Sequence, residues 1–258
     1  MLKSVVVVVA LVSVVWGAPQ SDSLDLDVDT RIVGGEATSI ENHPYMVSVQ
    51  RNDRHHCGGS IIASTWVVSA AHCFLREVEA YSIRAGSSWR NEGGQVIPAR
   101  KIILHELYLR QTLDYDIALV QLVKPITIRG ARAITLPPPD NNPPIPGSMG
   151  VVTGWGLLWS GGPLADRLKI VSVPVVTMEI CRSRYGQTVI TERKFCAGYW
   201  LVGGKDSCTS DSGGPLVIDG VLTGIVSWGP ATCALPDGPG VYASVPSLRN
   251  WIKRNSGI

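Results

Sequence analysis

The sequence predicts an all-β chain, two β-barrels joined by an extended connector, and three observations carry that prediction. From Ile32 onward the chain is a succession of short apolar runs rich in valine and isoleucine. Glycine, proline, serine and asparagine separate the runs, which is the punctuation of turns between strands. A proline-rich crossing near the middle leaves similar strand content on either side. With 258 residues the chain can bury a substantial core.

The expected strands follow in order. The first half holds YMVSVQ (45–50), GGSIIAS (58–64), WVVSAA (66–71), YSIRAG (81–86) and IALVQLV (117–123). The crossing PPPDNNPPIPG (137–147) lacks the backbone N–H groups a central strand needs. The second half holds GVVTGW (150–155), LKIVSVPVV (168–176), GPLVIDG (214–220), LTGIVSW (222–228) and GVYASV (240–245). Helix is expected only in short turns, one near Ala70 and a last one over Ser247 to Arg254. There Val245, Leu248, Trp251 and Ile252 recur at helical spacing behind Pro246-Ser247.

Residues 1–17 read as a signal peptide. Lys3 precedes an apolar run, Val5 to Gly17, with small residues at Gly17 and Ala18. Valine content would also suit a buried strand, but the run is terminal and a polar, acidic stretch follows. Residues 18–31 read as an exposed propeptide ending at Arg31, a basic residue at a polar–apolar junction and so a processing site, or else a plain linker. Secretion to the extracellular space is expected, with residues 32–258 as the mature domain.

The six cysteines, Cys57, Cys73, Cys181, Cys196, Cys208 and Cys233, all follow the leader. An even number in a secreted chain implies disulfides, and their spacing is not that of a metal site. The net charge of +2 and the absence of basic runs argue against nucleic acid or a membrane as partner.

Three polar residues stand in apolar surroundings: His72, Asp116 and Ser212. A serine hydroxyl needs an imidazole as general base. The imidazole needs a carboxylate on its other nitrogen to fix tautomer and orientation. Ser212 also lies in SDSGGP (210–215), where a glycine pair permits a sharp turn with exposed N–H groups. Taken singly, His72 suits a core histidine, Asp116 a turn cap and Ser212 a turn serine.

IVGG (32–35), SAAHC (69–73), DYDIALV (114–120), GWG (154–156), SDSGGP and SWG (227–229) occur in one order over residues 32–258. By this ordered set the chain resembles the chymotrypsin-fold serine proteases and, within them, the trypsins; its six cysteines, enough for three bridges where many vertebrate relatives carry more, resemble the invertebrate type. The resemblance implies two antiparallel six-stranded β-barrels, a short C-terminal helix and an active site in the cleft between them. Ser212 is then the nucleophile, His72 the general base and acid, and Asp116 its orienting carboxylate. The N–H groups of Ser210 and Ser212 form the oxyanion hole. Asp206 lies at the base of the specificity pocket, with Ser207, Ser227, Gly229 and Gly240 around it, implying cleavage after Arg or Lys. Cleavage between Arg31 and Ile32 frees an α-amine to pair with Asp211, which His55 can hold beforehand. The implied disulfides are Cys57–Cys73, Cys181–Cys196 and Cys208–Cys233.

The resemblance further implies a monomeric zymogen that acts on proteins, meets protein protease inhibitors, and needs no cofactor and no metal; the short propeptide and the absence of extra modules favour broad digestion over a cascade role. The loop GSSWRNEGGQ (86–95) carries one acid, Glu92, so no strong calcium site is expected. Two departures stand out. Thr209 occupies a position where a longer polar residue is common. Ser210 stands where the family has glycine; a positive φ there strains a serine, and a flipped peptide removes an oxyanion donor. The alternative reading is therefore a weakly active or non-catalytic homologue serving as a binding or regulatory module. An esterase of another fold finds no support in the strand pattern or in GWG and IVGG.

Overall fold

The computed structural model describes Met1, residues 33–139 and residues 143–258. The expected signal peptide, the propeptide, Arg31 and Ile32 lie outside the described residues, as does the centre of the proline-rich crossing. Among the described residues the chain is mostly β, with two helices longer than a single turn.

Six strands of the first half close into a barrel: β2 (Met46–Arg51), β3 (Arg54–Ala63), β4 (Trp66–Ser69), β5 (Tyr81–Ala85), β6 (Gln95–Leu104) and β7 (Ala118–Leu122), in the order β2-β3-β4-β7-β6-β5. Val47, Val49, Ile61, Val67, Ile83, Ile97 and Val120 fill its interior. The second half forms β8 (Met149–Gly154), β9 (Lys169–Pro174), β10 (Lys194–Ala197), β11 (Pro215–Ile218), β12 (Val221–Trp228) and β13 (Gly240–Ser244). With the short β1 (Glu36–Ala37) they make a sheet ordered β1-β9-β8-β11-β12-β13-β10. This sheet curls until its last strand meets the end of β9 through a single bridge, Val175 to Ala197. The second half is thus a half-barrel that nearly closes.

Every apolar run read from the sequence corresponds to a strand. β1, β6 and β10 were not among those runs. The helix expected near Ala70 is one 3₁₀ turn, Ala71–Cys73. An unexpected helix, α1 (Met178–Tyr185), begins on Thr177, whose Oγ1 accepts from the Ile180 N–H at 3.2 Å. Of its residues only Cys181 is buried, so no apolar stripe announced it. The last helix, α2 (Val245–Ser256), is longer than expected at both ends. Ser244 caps it, Pro246 occupies its first turn and Gly257 ends it in left-handed geometry. Its buried face, Val245, Leu248, Trp251 and Ile252, joins the core of the first barrel.

All three disulfides form as the resemblance implied. Cys57–Cys73 ties β3 to the turn carrying His72, Cys181–Cys196 ties α1 to β10, and Cys208–Cys233 joins the two loops around Asp206.

Candidate active site

Strand pairing brings His72 and Asp116 together. In the antiparallel β4–β7 pair Ser69 faces Ala118, so the residues just beyond β4 meet those just before β7. Asp116 Oδ1 accepts the backbone N–H of His72 at 3.0 Å, and Oδ2 accepts from His72 Nδ1 at 2.8 Å. The Ser227 hydroxyl also donates to Oδ2, at 2.5 Å. Asp116 is 1% exposed and an ionised carboxylate only accepts, so the imidazole carries its proton on Nδ1. Nε2 is left with a lone pair on a ring that is 24% exposed. Ser227, read from sequence as a pocket residue, lines the pocket and also fixes this carboxylate.

A cluster from the second half holds the Asp116 loop. Leu113 and Tyr115 adopt φ of 50° and 54°, left-handed conformations that persist only where surroundings enforce them. Asp114 between them accepts from Arg193 Nε and Nη2 at 3.1 and 2.7 Å and from Thr191 Oγ1 at 2.8 Å. Lys194, 2% exposed, donates its ammonium to the carbonyls of Thr112 and Val189 at 2.6 and 2.8 Å. Sequence reading missed this clamp, because a charged stretch such as TERK (191–194) normally reads as a solvated face.

The Ser212 loop lies against β3. Gly58 N–H donates to the Ser212 carbonyl at 2.8 Å, and that carbonyl oxygen lies 3.8 Å from Cys73 Sγ, beside His72. Within the loop, the N–H groups of Asp211, Gly213 and Gly214 have backbone acceptors. Among the described residues those of Ser210 and Ser212 have none, so two donors are free beside Ser212. Ser210 does adopt positive φ, 72°. Both peptides around it are nonetheless pinned. Leu157 N–H donates to the Thr209 carbonyl at 2.9 Å, and His55 Nε2 donates to the Ser210 carbonyl at 3.1 Å. In a trans peptide the N–H points away from its carbonyl, so the Leu157 contact turns the Ser210 N–H to the opposite edge.

On the other side of the loop a cavity of about 200 Å³ is lined by Asp206, Ser207, Ser212, Ser227, Trp228 and Gly229, among others. Asp206 is 3% exposed. The Ser207 N–H binds its Oδ1 at 2.8 Å and the Ser207 hydroxyl lies at 3.4 Å. Burial pushes this carboxyl up to about 7. A Cβ on Gly240 would come 2.7 Å from Asp206 Oδ1, so only glycine leaves the floor open there.

A buried carboxylate–imidazole pair, a serine beside two unoccupied N–H donors and an adjoining pocket form an acyl-transfer constellation. Comparison with known proteins agrees. A family model described as Trypsin matches residues 32–252. The chain belongs to the trypsin family. It is 44% identical to a trypsin of Simulium vittatum over 90% of this chain and 94% of that one. It is 41% identical to trypsin delta of Drosophila erecta (99% and 100%) and 38% identical to a trypsin of Phaedon cochleariae (96% and 97%). The protein is a trypsin-like serine endopeptidase.

In this trypsin-family protease the GWG motif has a physical cause. Asp211 is fully buried, its carboxylate held by the N–H groups of Gly156 at 2.7 Å and Cys208 at 2.9 Å. A Cβ on Gly154 or Gly156 would collide with that carboxylate. Burial pushes the Asp211 carboxyl up to about 6. His55 makes no hydrogen bond to Asp211. Its Nδ1 accepts from the Ser48 hydroxyl at 2.8 Å while Nε2 donates to Ser210, and burial pushes its imidazole down to about 4, so the ring is neutral. Val33, next to the expected processing junction, accepts the Asp206 N–H at 3.2 Å. No helix among the described residues is long and apolar enough to cross a membrane.

Proposed function

We propose that this protease is secreted as a zymogen, is activated by cleavage between Arg31 and Ile32, and hydrolyses peptide bonds after Arg or Lys in digestion of protein. Ser212 attacks the scissile carbonyl while His72 Nε2 takes its proton. The Ser210 and Ser212 N–H groups bind the oxyanion, and Asp116 stabilises the imidazolium. Protonation of the amine releases it, and water then hydrolyses the acyl-enzyme. The observation that carries the specificity is the buried Asp206 carboxyl at the floor of the cavity beside Ser212. A buried carboxylate without a partner is costly, and a guanidinium or ammonium of the substrate relieves that cost.

Activation follows the same logic. Asp211 is buried with two N–H donors and would gain a cation from the α-amine of Ile32, adjacent in sequence to the residue that holds the Asp206 backbone. The deciding experiment is to cleave the recombinant chain after Arg31 and titrate it with an acylating Arg ester. A stoichiometric burst is expected from the cleaved chain and almost none from an Arg31→Gln form. A full burst from Arg31→Gln overturns the zymogen reading, and equal acylation by a Phe ester overturns the specificity.

The second reading, a weak or non-catalytic homologue, is favoured by the positive φ of Ser210 alone. The pinned carbonyls of Thr209 and Ser210 weigh against it. Ser210→Gly is expected to raise thermal stability, because the left-handed strain is relieved. Its kcat/KM should change less than about tenfold, since the contacts on the Thr209 and Ser210 carbonyls support the same peptide orientation in both forms. A gain of about 10²–10³, the worth of a missing donor, would instead support the weak-homologue reading.

A further inference from the structure

The acyl half of a substrate fills the Asp206 cavity on one side of Ser212, so the leaving half must cross the other side, over β3 of the first barrel. There the β2–β3 hairpin forms a second recess lined by Arg51, Asn52, Arg54, His55 and His56. It adjoins the reacting centre through two contacts: His55 Nε2 on the Ser210 carbonyl, and His56 Nε2 within 3.1 Å of the Cys73 carbonyl, next to His72.

The charges in this recess are uncompensated. Arg51 and Arg54 face each other as a direct cross-strand pair, closed by Asn52 and Asp53 in left-handed conformation. Like charges directly opposite on a sheet repel. Among the described residues neither guanidinium has a hydrogen bond or an ion pair, even with Asp53 at the turn or Glu77 beyond it. Arg51 also borders a neighbouring recess that contains Arg76, extending the cationic surface. The His56 imidazole is held below its usual range by burial and by Arg51. Folding has thus left two arginines side by side, half-exposed or exposed, with open hydrogen-bonding forks.

We infer that this recess is a specificity subsite for the leaving half of the substrate, taking carboxylates of Asp or Glu at the second and third residues after the scissile bond. The inference rests on the proposed cleavage after Arg or Lys. An extended chain advances about 3.3 Å per residue, so those side chains lie beyond the His72–Cys73 turn, toward the hairpin. Each carboxylate meets a guanidinium whose planar fork suits bidentate pairing.

The test uses the chain cleaved after Arg31 and peptides identical through the cleaved Arg, with Glu, Gln or Lys at the second and third leaving positions. Glu should exceed Gln in kcat/KM by about five- to tenfold, the size of one or two partly exposed ion pairs, and Lys should be poorest. The preference should shrink as salt is raised from about 0.02 to 0.5 M. It should vanish in Arg51→Gln/Arg54→Gln and persist in Arg51→Lys/Arg54→Lys, while turnover of a small Arg amide lacking the leaving peptide stays unchanged. Equal rates for the three peptides, or a Glu preference that survives the double Gln variant, overturn the inference and leave Arg cleavage standing. Failure of the Arg amide itself would count against the cleavage reading instead. In that case anisotropy of the same labelled peptides on Ser212→Ala reads the subsite directly, with tighter binding of the Glu peptide expected and equal binding overturning it.

Discussion

Asp116→Asn is expected to lower kcat by about 10⁴-fold on an Arg amide near pH 8 while KM changes little. The argument is one of hydrogen-bond polarity. Oδ1 receives the His72 backbone N–H, and Oδ2 receives both His72 Nδ1 and the Ser227 hydroxyl. An asparagine has one acceptor and one donor end in this space. Turning its NH₂ toward the His72 backbone sets two donors against each other in a site that is 1% exposed. The other orientation satisfies every group: the NH₂ faces Nδ1, Nδ1 becomes the acceptor, and Ser227 accepts in turn. That arrangement moves the imidazole proton to Nε2, and the base required by Ser212 is gone. The fold should persist, because the amide fills the same volume and the Cys57–Cys73 bridge and the Asp114 clamp still hold both loops. Kinetics of the purified variant, with disulfides intact, check this. A kcat within tenfold of the parent would mean that Asp116 does not set the tautomer.

The same site shows what a sequence exposes to reading and what it conceals. His72, Asp116, Ser212 and Asp206 were legible because each is a polar residue embedded in an apolar or glycine-rich setting whose order along the chain matches a known pattern. The apolar runs likewise announced the strands around them. β6 escaped because Pro98, Arg100 and Lys101 interrupt its apolar residues; on the exposed face of a barrel strand such residues cost little. β10 escaped because its first residue is Lys194, and nothing in the sequence says that this ammonium is buried on two carbonyls. The clamp on Asp114 joins residues almost eighty positions apart, so it exists only once the two halves are packed. Ser210 illustrates the opposite limit. Its strain was foreseeable from residue type, but the contacts from Leu157 and His55 that hold its peptides come from a distant loop and from β3.

Asp206→Asn is expected to cut kcat/KM for Arg substrates by about 10²–10⁴-fold, the 3–5 kcal/mol that a buried ion pair loses when one partner is removed. Hydrolysis of Leu or Phe amides should change far less, so the variant becomes nearly indiscriminate. A second consequence runs in the opposite direction, toward greater stability. The folded carboxyl titrates at about 7 because of burial, whereas in the unfolded chain it titrates near 3.8. Between those values the folded state binds the extra proton, so stability contributed by this group is present below pH 4 and is lost as pH rises to about 7. Above pH 7 the empty enzyme carries a desolvated charge, eased by the Ser207 N–H and hydroxyl and by the Ala234 backbone. The asparagine variant should therefore melt higher than the parent at pH 8 and match it near pH 4. A small guanidinium or amidinium ligand should stabilise the parent more at pH 8 than at pH 5, since it binds the ionised form, and should leave the variant unmoved. Retained preference for Arg, or a lower melting temperature for the variant at pH 8, would mean that Asp206 is an ordinary structural carboxyl. The expected pair of effects means that the site holds a carboxylate at a cost to stability, and that this cost is what lets it distinguish a cationic side chain from an apolar one.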